Sequence, residues 1–187
     1  MKIISTDGIV VSSIPFKESS RIINILTKDM GIVGCIVKGC KSLKSKLRLP
    51  SEKFAYGTFH FYYKENGLST LIEADIKNYF INIKSDIVKI SYMSYLCELA
   101  TNVYKESNNS EVYDILISAL LKIEDNFDPK IITNIVEIQY LSYILNTITN
   151  ILLFFFIYNT IKCYNFIITI ILKEILFKSI IFNFINN

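Results

Sequence analysis

The hydrophobic rhythm of this chain changes twice along its length. Through residues 1–80, apolar and polar positions alternate in short runs broken by turn residues, the period-2 pattern of half-buried β-strands. "KIISTDGIVVSSIPF" predicts strand around Gly8, closed by Pro15. "INILTKDMGIVGCIVKG" predicts a strand, a turn at Asp29–Gly31, and a second strand through Ile36 and Val37 that stops at Gly39. "YGTFHFYYKENGLSTLIEADI" alternates at Phe59, Phe61 and Tyr63, turns at Asn66-Gly67, and resumes from Leu68 to Ala74. An Asn-Gly pair between two such runs is a strong hairpin signal. About five short strands with some long connections suit a small closed or nearly closed barrel.

From residue 85 the apolar spacing becomes three and four. Ile87, Ile90, Met93, Tyr95, Leu96, Leu99 and Val103 mark a helix, with Ser85 as the expected N-cap and Asp86 in the first turn. Val112, Ile115, Leu116, Ala119, Leu120 and Ile123 repeat the pattern behind Ser110. Pro129 suits the first turn of a third helix through "KIITNIVEIQYLSYIL". The expected class is therefore β + α: a small β-barrel domain over 1–80, then an α-helical domain over 81–145, with the boundary near 78–85 and no flexible linker.

Residues 146–187 form a third segment, an apolar tail of low complexity. From Leu141 to Asn187 only Lys162, Lys173, Glu174 and Lys178 are charged, and Gly and Pro are absent. Three readings fit. Leu141–Thr160 is a charge-free run of 20 residues, long enough to span a membrane, although its Asn and Thr residues and the lack of basic flanks argue against that. The Ile-, Phe-, Asn- and Tyr-rich mixture also fits an A/T-rich gene read out of frame. A buried helix pair is the third. In any of them "ILLFFF", Ile151–Phe156, has the signature of an aggregation-prone segment when unpacked.

Net charge is only +3, but its distribution is uneven. Residues 1–80 carry 12 Lys/Arg against 7 Asp/Glu, whereas residues 81–140 carry 5 against 9. Such asymmetry is expected when one part of a chain meets a polyanion. Cys35, Cys40, Cys97 and Cys163 form no C-x-x-C pair, so no zinc ribbon or thioredoxin motif is present. With no signal-peptide pattern at the start, a reducing cytosol and free, buried thiols are expected. His60, the sole histidine, sits in an alternating run and reads as a sheet residue. One histidine leaves little for nucleophile–base catalysis. Neither a phosphate-binding P-loop nor a dinucleotide fingerprint occurs. An enzyme is not expected.

The basic excess concentrates in "KGCKSLKSKLRLP", residues 38–50, where Lys38, Lys41, Lys44, Lys46 and Arg48 meet no acid. The stretch follows a strand end and reads as an exposed loop. Its cations, with the hydroxyls of Ser42 and Ser45, suit phosphate oxygens and would give salt-sensitive, sequence-tolerant affinity. Phe59, Phe61 and Tyr63 lie on one side of a strand and could offer rings for base stacking. A barrel needs its alternate residues inside, which favours a core role for them.

Taken together, these residues resemble the bacterial RecO family of DNA repair and recombination proteins. The resemblance rests on Gly8-Ile9-Val10-Val11, Glu18, Arg21-Ile22, Leu26-Thr27, Gly31, Val37-Lys38-Gly39, Lys41, Ser45 and Leu47, in that order and spacing. It continues through "FAYGTFHFYYKENGLSTLIEADIKNYF", with its Thr70–Ala74 signature, and through "YMSYLCELATNVYKE" and "EVYDILISALLKIE", covering roughly residues 1–145. It implies an oligonucleotide/oligosaccharide-binding (OB) barrel and a helical domain. It further implies a non-enzymatic role: binding single- and double-stranded DNA, annealing complementary strands, and loading recombinase in the RecF pathway. RecR and the single-stranded-DNA-binding protein are the implied partners. Arg21 beside Glu18 suits an exposed ion pair, whereas the resemblance implies a phosphate contact. The expected nucleic-acid-binding set is then Arg21, Lys38, Lys41, Lys44, Lys46 and Arg48. Many relatives continue past the third helix with a Gly/Pro turn and a four-cysteine zinc module. Here that stretch holds Cys163 alone, so no cofactor is expected and the helical domain reads as truncated. The rival reading is a membrane-anchored structural protein with a cytosolic barrel.

Overall fold

A computed structural model describes residues 2–107 and 109–145. The tail readings made above, whether membrane span, frameshifted run or helix pair, concern residues that lie almost wholly outside these.

Five strands close into one barrel. They are β1 (Lys2–Phe16), β2 (Ser20–Thr27), β3 (Gly31–Val37), β4 (Tyr56–Tyr63) and β5 (Ser69–Asn78). Closure runs in the order β1-β2-β3-β5-β4, with β1 returning to pair β4. β1 serves two neighbours because it is long and irregular. Lys2–Ile9 pairs antiparallel with β4, while Gly8–Phe16 pairs antiparallel with β2 across a register shift between Val10 and Ser12. Such a bulge bends a strand around a barrel corner. β3 and β5 meet in parallel at Cys35 and Ile36, and all other pairings are antiparallel. This five-stranded, Greek-key arrangement is an OB-type barrel.

Alternation explains the interior. Val10, Ile23, Ile25, Val33, Cys35, Val37, Phe59, Phe61 and Leu71 point inward and are buried, with Cys40 and Ala55 among them. Phe59 and Phe61 are thus core residues rather than a stacking surface, because every second β4 side chain must fill the barrel. β5 runs four residues beyond the strand expected from the sequence, since Asp75, Ile76 and Asn78 continue the ladder against Thr58, Gly57 and Tyr56. His60 lies on β4, 3.4 Å from the Asp75 carboxylate.

The helices pack directly on the barrel. After a short α1 (Ile81–Lys84) come α2 (Ile87–Ser107), α3 (Glu111–Glu124) and α4 (129–145). Residues 1–144 form one compact unit. Ile9, Leu26 and Phe54 from the barrel side share a second core with Met93, Leu96, Ala100, Leu116, Leu120 and Tyr140. The caps differ from those expected. Asp86 Oδ1, not Ser85, accepts the Val88 N–H at 2.8 Å, and Asn109 Oδ1, not Ser110, accepts the Glu111 N–H at 2.9 Å. A carboxylate or amide just outside the helix reaches the free amides of its first turn. Asp128 does the same for α4 ahead of Pro129. Ile132, Val136 and Tyr140 of α4 are buried, whereas Ile131, Ile135, Ile138, Leu141 and Leu145 are exposed. Among the described residues, no helix is long and apolar enough to cross a membrane.

One polar strap closes the barrel wall. Asp7 on β1 meets Lys77 Nζ on β5 at 2.6 Å, and accepts a 2.6 Å hydrogen bond from the Thr58 hydroxyl on β4. The hydrogen bonds from Lys77 and Thr58 hold the Asp7 carboxyl below its ordinary value of 3.8. A lowered folded-state pKa stabilises the fold above the ordinary value and loses that contribution as pH falls through the lowered one. Asp7→Asn is therefore expected to cost about 1 kcal/mol at neutral pH, given the partial exposure of the pair. The difference from wild type should begin to shrink as pH drops below 3.8 and vanish only once it passes below the lowered Asp7 value. Urea unfolding across this range checks it.

Candidate nucleic-acid interface

Residues 38–55 link β3 to β4 as a chain of tight turns rather than a loose loop. Two kinds of contact hold the link down. Cys40, Pro50, Ser51, Phe54 and Ala55 are buried, and Leu47 packs partly buried against the barrel interior. Backbone bonds join Ser45 to Ser42 at 3.1 Å, Arg48 to Ser45 at 3.2 Å, Ser51 to Leu47 at 3.1 Å and Glu52 to Leu49 at 3.0 Å. At its far end Phe54 and Ala55 exchange backbone bonds with Val10 of β1 at 2.7 and 3.0 Å. Cys40, Leu47, Pro50, Phe54 and Ala55 thus dock inward, whereas Leu43 and Leu49 stay exposed beside most of the cations.

The six residues singled out from the sequence fall into two groups. Lys38, Lys44 and Lys46 are exposed. Lys41, Arg48 and Arg21 are half-buried and tied to the scaffold to different degrees. Lys41 donates from its backbone N–H to the Ser19 carbonyl at 3.1 Å and from Nζ to the Lys17 carbonyl at 2.9 Å. It clamps the link onto the β1–β2 turn. Arg21 donates to the Ser51 carbonyl at 3.5 Å, and no ion pair joins it to Glu18 among the described residues. Ser51 in turn donates its hydroxyl to the Arg48 carbonyl at 2.8 Å. Ser51 therefore draws Arg21 and the Arg48 backbone to the same end of the barrel.

Two further lysines adjoin the stretch and were missed from the sequence. Lys17, in the β1–β2 turn, adopts a positive φ of 52° and holds its ammonium 5.5 Å from the Phe16 ring centre. Only the Lys41 clamp reveals that it neighbours the basic stretch. Lys53 sits over the Phe54 ring at 4.6 Å. With Lys105 of α2 it borders a cleft of about 330 Å³ between the barrel wall at Ser12, Asn24 and Ile32 and the helix at Cys97 and Thr101. No local pattern marks Lys17 or Lys53, because closure of the barrel creates both positions.

The described residues do not fit a zinc site. Cys35 and Cys40 belong to the barrel interior and Cys97 to the helical core, and all three are free and buried. Burial pushes the Cys35 and Cys97 thiols up to about 12, the opposite of what a thiolate ligand requires. No cluster of three or more potential ligands occurs among the described residues. Cys163 lies outside them.

Comparison with known proteins agrees with this architecture. The family model for the N-terminal part of recombination protein O matches residues 1–80, and that for its C-terminal part matches residues 84–144. The DNA repair protein RecO of Listeria welshimeri is 32% identical over 130 residues, which is 69% of this chain and 51% of that protein. The DNA repair protein RecO of Shouchella clausii is 31% identical over 131 residues, 70% of this chain and 51% of the relative. That of Halalkalibacterium halodurans is 28% identical over 130 residues, with shares of 69% and 51%. The chain thus spans about half the length of the curated relatives it matches. With an OB-type barrel, a helical domain packed on it and both family models in order along 1–144, the chain belongs to the RecO family.

Proposed function

We propose that this protein is a DNA-binding recombination mediator of RecO type, acting in DNA repair and homologous recombination. In this reading it binds single- and double-stranded DNA and anneals complementary strands. Together with RecR and the single-stranded-DNA-binding protein, it helps load recombinase in the RecF pathway. It acts by binding rather than by catalysis, and no cofactor takes part. The observation that carries the reading is the exposed trio Lys38, Lys44 and Lys46 on a turn-rich link pinned to the end of an OB-type barrel. Lys17 and Arg48 border them, so four or so cations can meet successive phosphates. A phosphate contact needs no particular base, so affinity should be similar for unrelated sequences.

Fluorescence anisotropy with the full chain and several unrelated single strands tests this. Four contacts predict a slope of log affinity against log salt near −3, at about 0.7 per contact. A slope near zero, or strong dependence on base sequence, would remove the proposal.

Arg21 offers a second test. Its 3.5 Å bond to Ser51 is long, so Arg21→Ala should cost less than about 1 kcal/mol of stability. If the guanidinium meets a phosphate, the salt slope should flatten by about 0.7–0.9. A lowered melting temperature with unchanged DNA affinity would assign Arg21 to the scaffold alone.

A further inference from the structure

We propose that Leu43 is a wedge that enters between neighbouring bases of a bound strand and breaks their stacking. Leu43 is 83% exposed, more than any other large hydrophobic side chain among the described residues. A lone exposed leucine is ordinary. Its setting here is not. The Ser45 N–H bonds the Ser42 carbonyl at 3.1 Å, which places Leu43 and Lys44 at the two corners of a β-turn. That turn is anchored on one side by buried Cys40 and the two Lys41 hydrogen bonds, and on the other by Leu47, whose N–H bonds the Ser45 hydroxyl at 3.3 Å. The apex is therefore fixed, and little ordering is needed when it meets a ligand.

The ligand chemistry follows from the neighbours. Lys44 and Lys46 follow the leucine as exposed cations, and Lys41 precedes it half-buried, so a bound surface must be anionic and must offer an apolar slot beside its charges. Stacked bases between phosphates have that form, and aliphatic side chains open base steps in this way. An anionic lipid surface shares part of the chemistry. Stable lipid anchoring, however, takes more apolar insertion than one turn apex supplies. For a protein that pairs complementary strands, an unstacked strand presents its base edges to the incoming one.

This inference rests on the proposed reading of residues 38–50 as a phosphate-binding surface, and the test separates the two. The full chain is titrated into a single strand carrying 2-aminopurine, an adenine analogue whose emission is quenched by stacking, while anisotropy reports binding. Wild type should raise the emission at saturation. Leu43→Ala should lose that rise while keeping the salt slope of binding, and Leu43→Met should recover it. Retention of the rise in Leu43→Ala, or normal salt-dependent binding by wild type with no rise, would overturn the wedge and leave phosphate binding intact. Absence of any DNA binding would overturn both. Capture by vesicles of phosphatidylserine and phosphatidylcholine that is lost in Leu43→Ala, with the DNA signals unchanged, would assign the leucine to membranes and also overturn the wedge.

Discussion

Replacing Gly57 with alanine is expected to destabilise the protein by about 3 kcal/mol or more, one of the largest effects of any single methyl group here. A Cβ at this position would lie 2.2 Å from the Asp75 carbonyl oxygen and 2.7 Å from the Ile76 Cα. Both are backbone atoms of β5, so no side chain can swing aside. Gly57 sits at a register shift in the β4–β5 ladder and faces Gly8 across the β1–β4 pair. The barrel closes around that narrow point, just after the basic link rejoins the sheet. Gly39 is the control. Its φ of +65° disfavours a side chain, but a Cβ there would meet nothing within 4 Å, so Gly39→Ala should cost only about 1–2 kcal/mol. Urea unfolding of both variants measures the gap. Equal losses would mean that close packing at Gly57 does not hold β4 to β5.

Much of this architecture was legible in the sequence, because barrel and helices impose different periods on their apolar residues. The alternation through Phe59, Phe61 and Tyr63, the Asn66-Gly67 turn and the run from Leu68 to Ala74 located β4 and β5. The three- and four-residue spacing of Ile90, Met93, Leu96, Leu99 and Val103 located α2. What escaped was set by tertiary contact. The continuation of β5 to Asn78 follows from its ladder with β4, not from any alternation of its own. Ser85 and Ser110 were reasonable caps by type, yet Asp86 and Asn109 stand where their oxygens meet the free amides.

At the candidate interface, charge density alone pointed to Lys38, Lys44 and Lys46, since a short run without acids cannot bury so many ammonium groups. The same density could not distinguish Lys41, whose ammonium is spent on the Lys17 carbonyl. It could not find Lys17 either, which lies 21 residues away in sequence from Lys38. Only the closed sheet brings the β1–β2 turn against the link after β3.

The second large effect concerns function and follows from that distinction. Lys38→Ala, Lys44→Ala and Lys46→Ala combined should leave stability near wild type, because all three side chains are exposed and exposed substitutions rarely exceed about 0.5 kcal/mol each. Lys41 is kept, so the link stays clamped. Affinity for DNA should fall by roughly 10- to 100-fold for unrelated sequences alike, at about 0.5–1 kcal/mol per exposed phosphate pair. Loss confined to one sequence would instead indicate base reading by these residues.

The most direct measurement is the salt dependence of binding for wild type and this triple variant, taken with the same single strand over the same range. Three lost phosphate contacts predict that the slope of log affinity against log salt flattens by about 2, at roughly 0.7 per contact on a single strand. A triple variant that folds normally and keeps the wild-type slope would contradict the account, and would place DNA, if bound at all, on another surface of the protein.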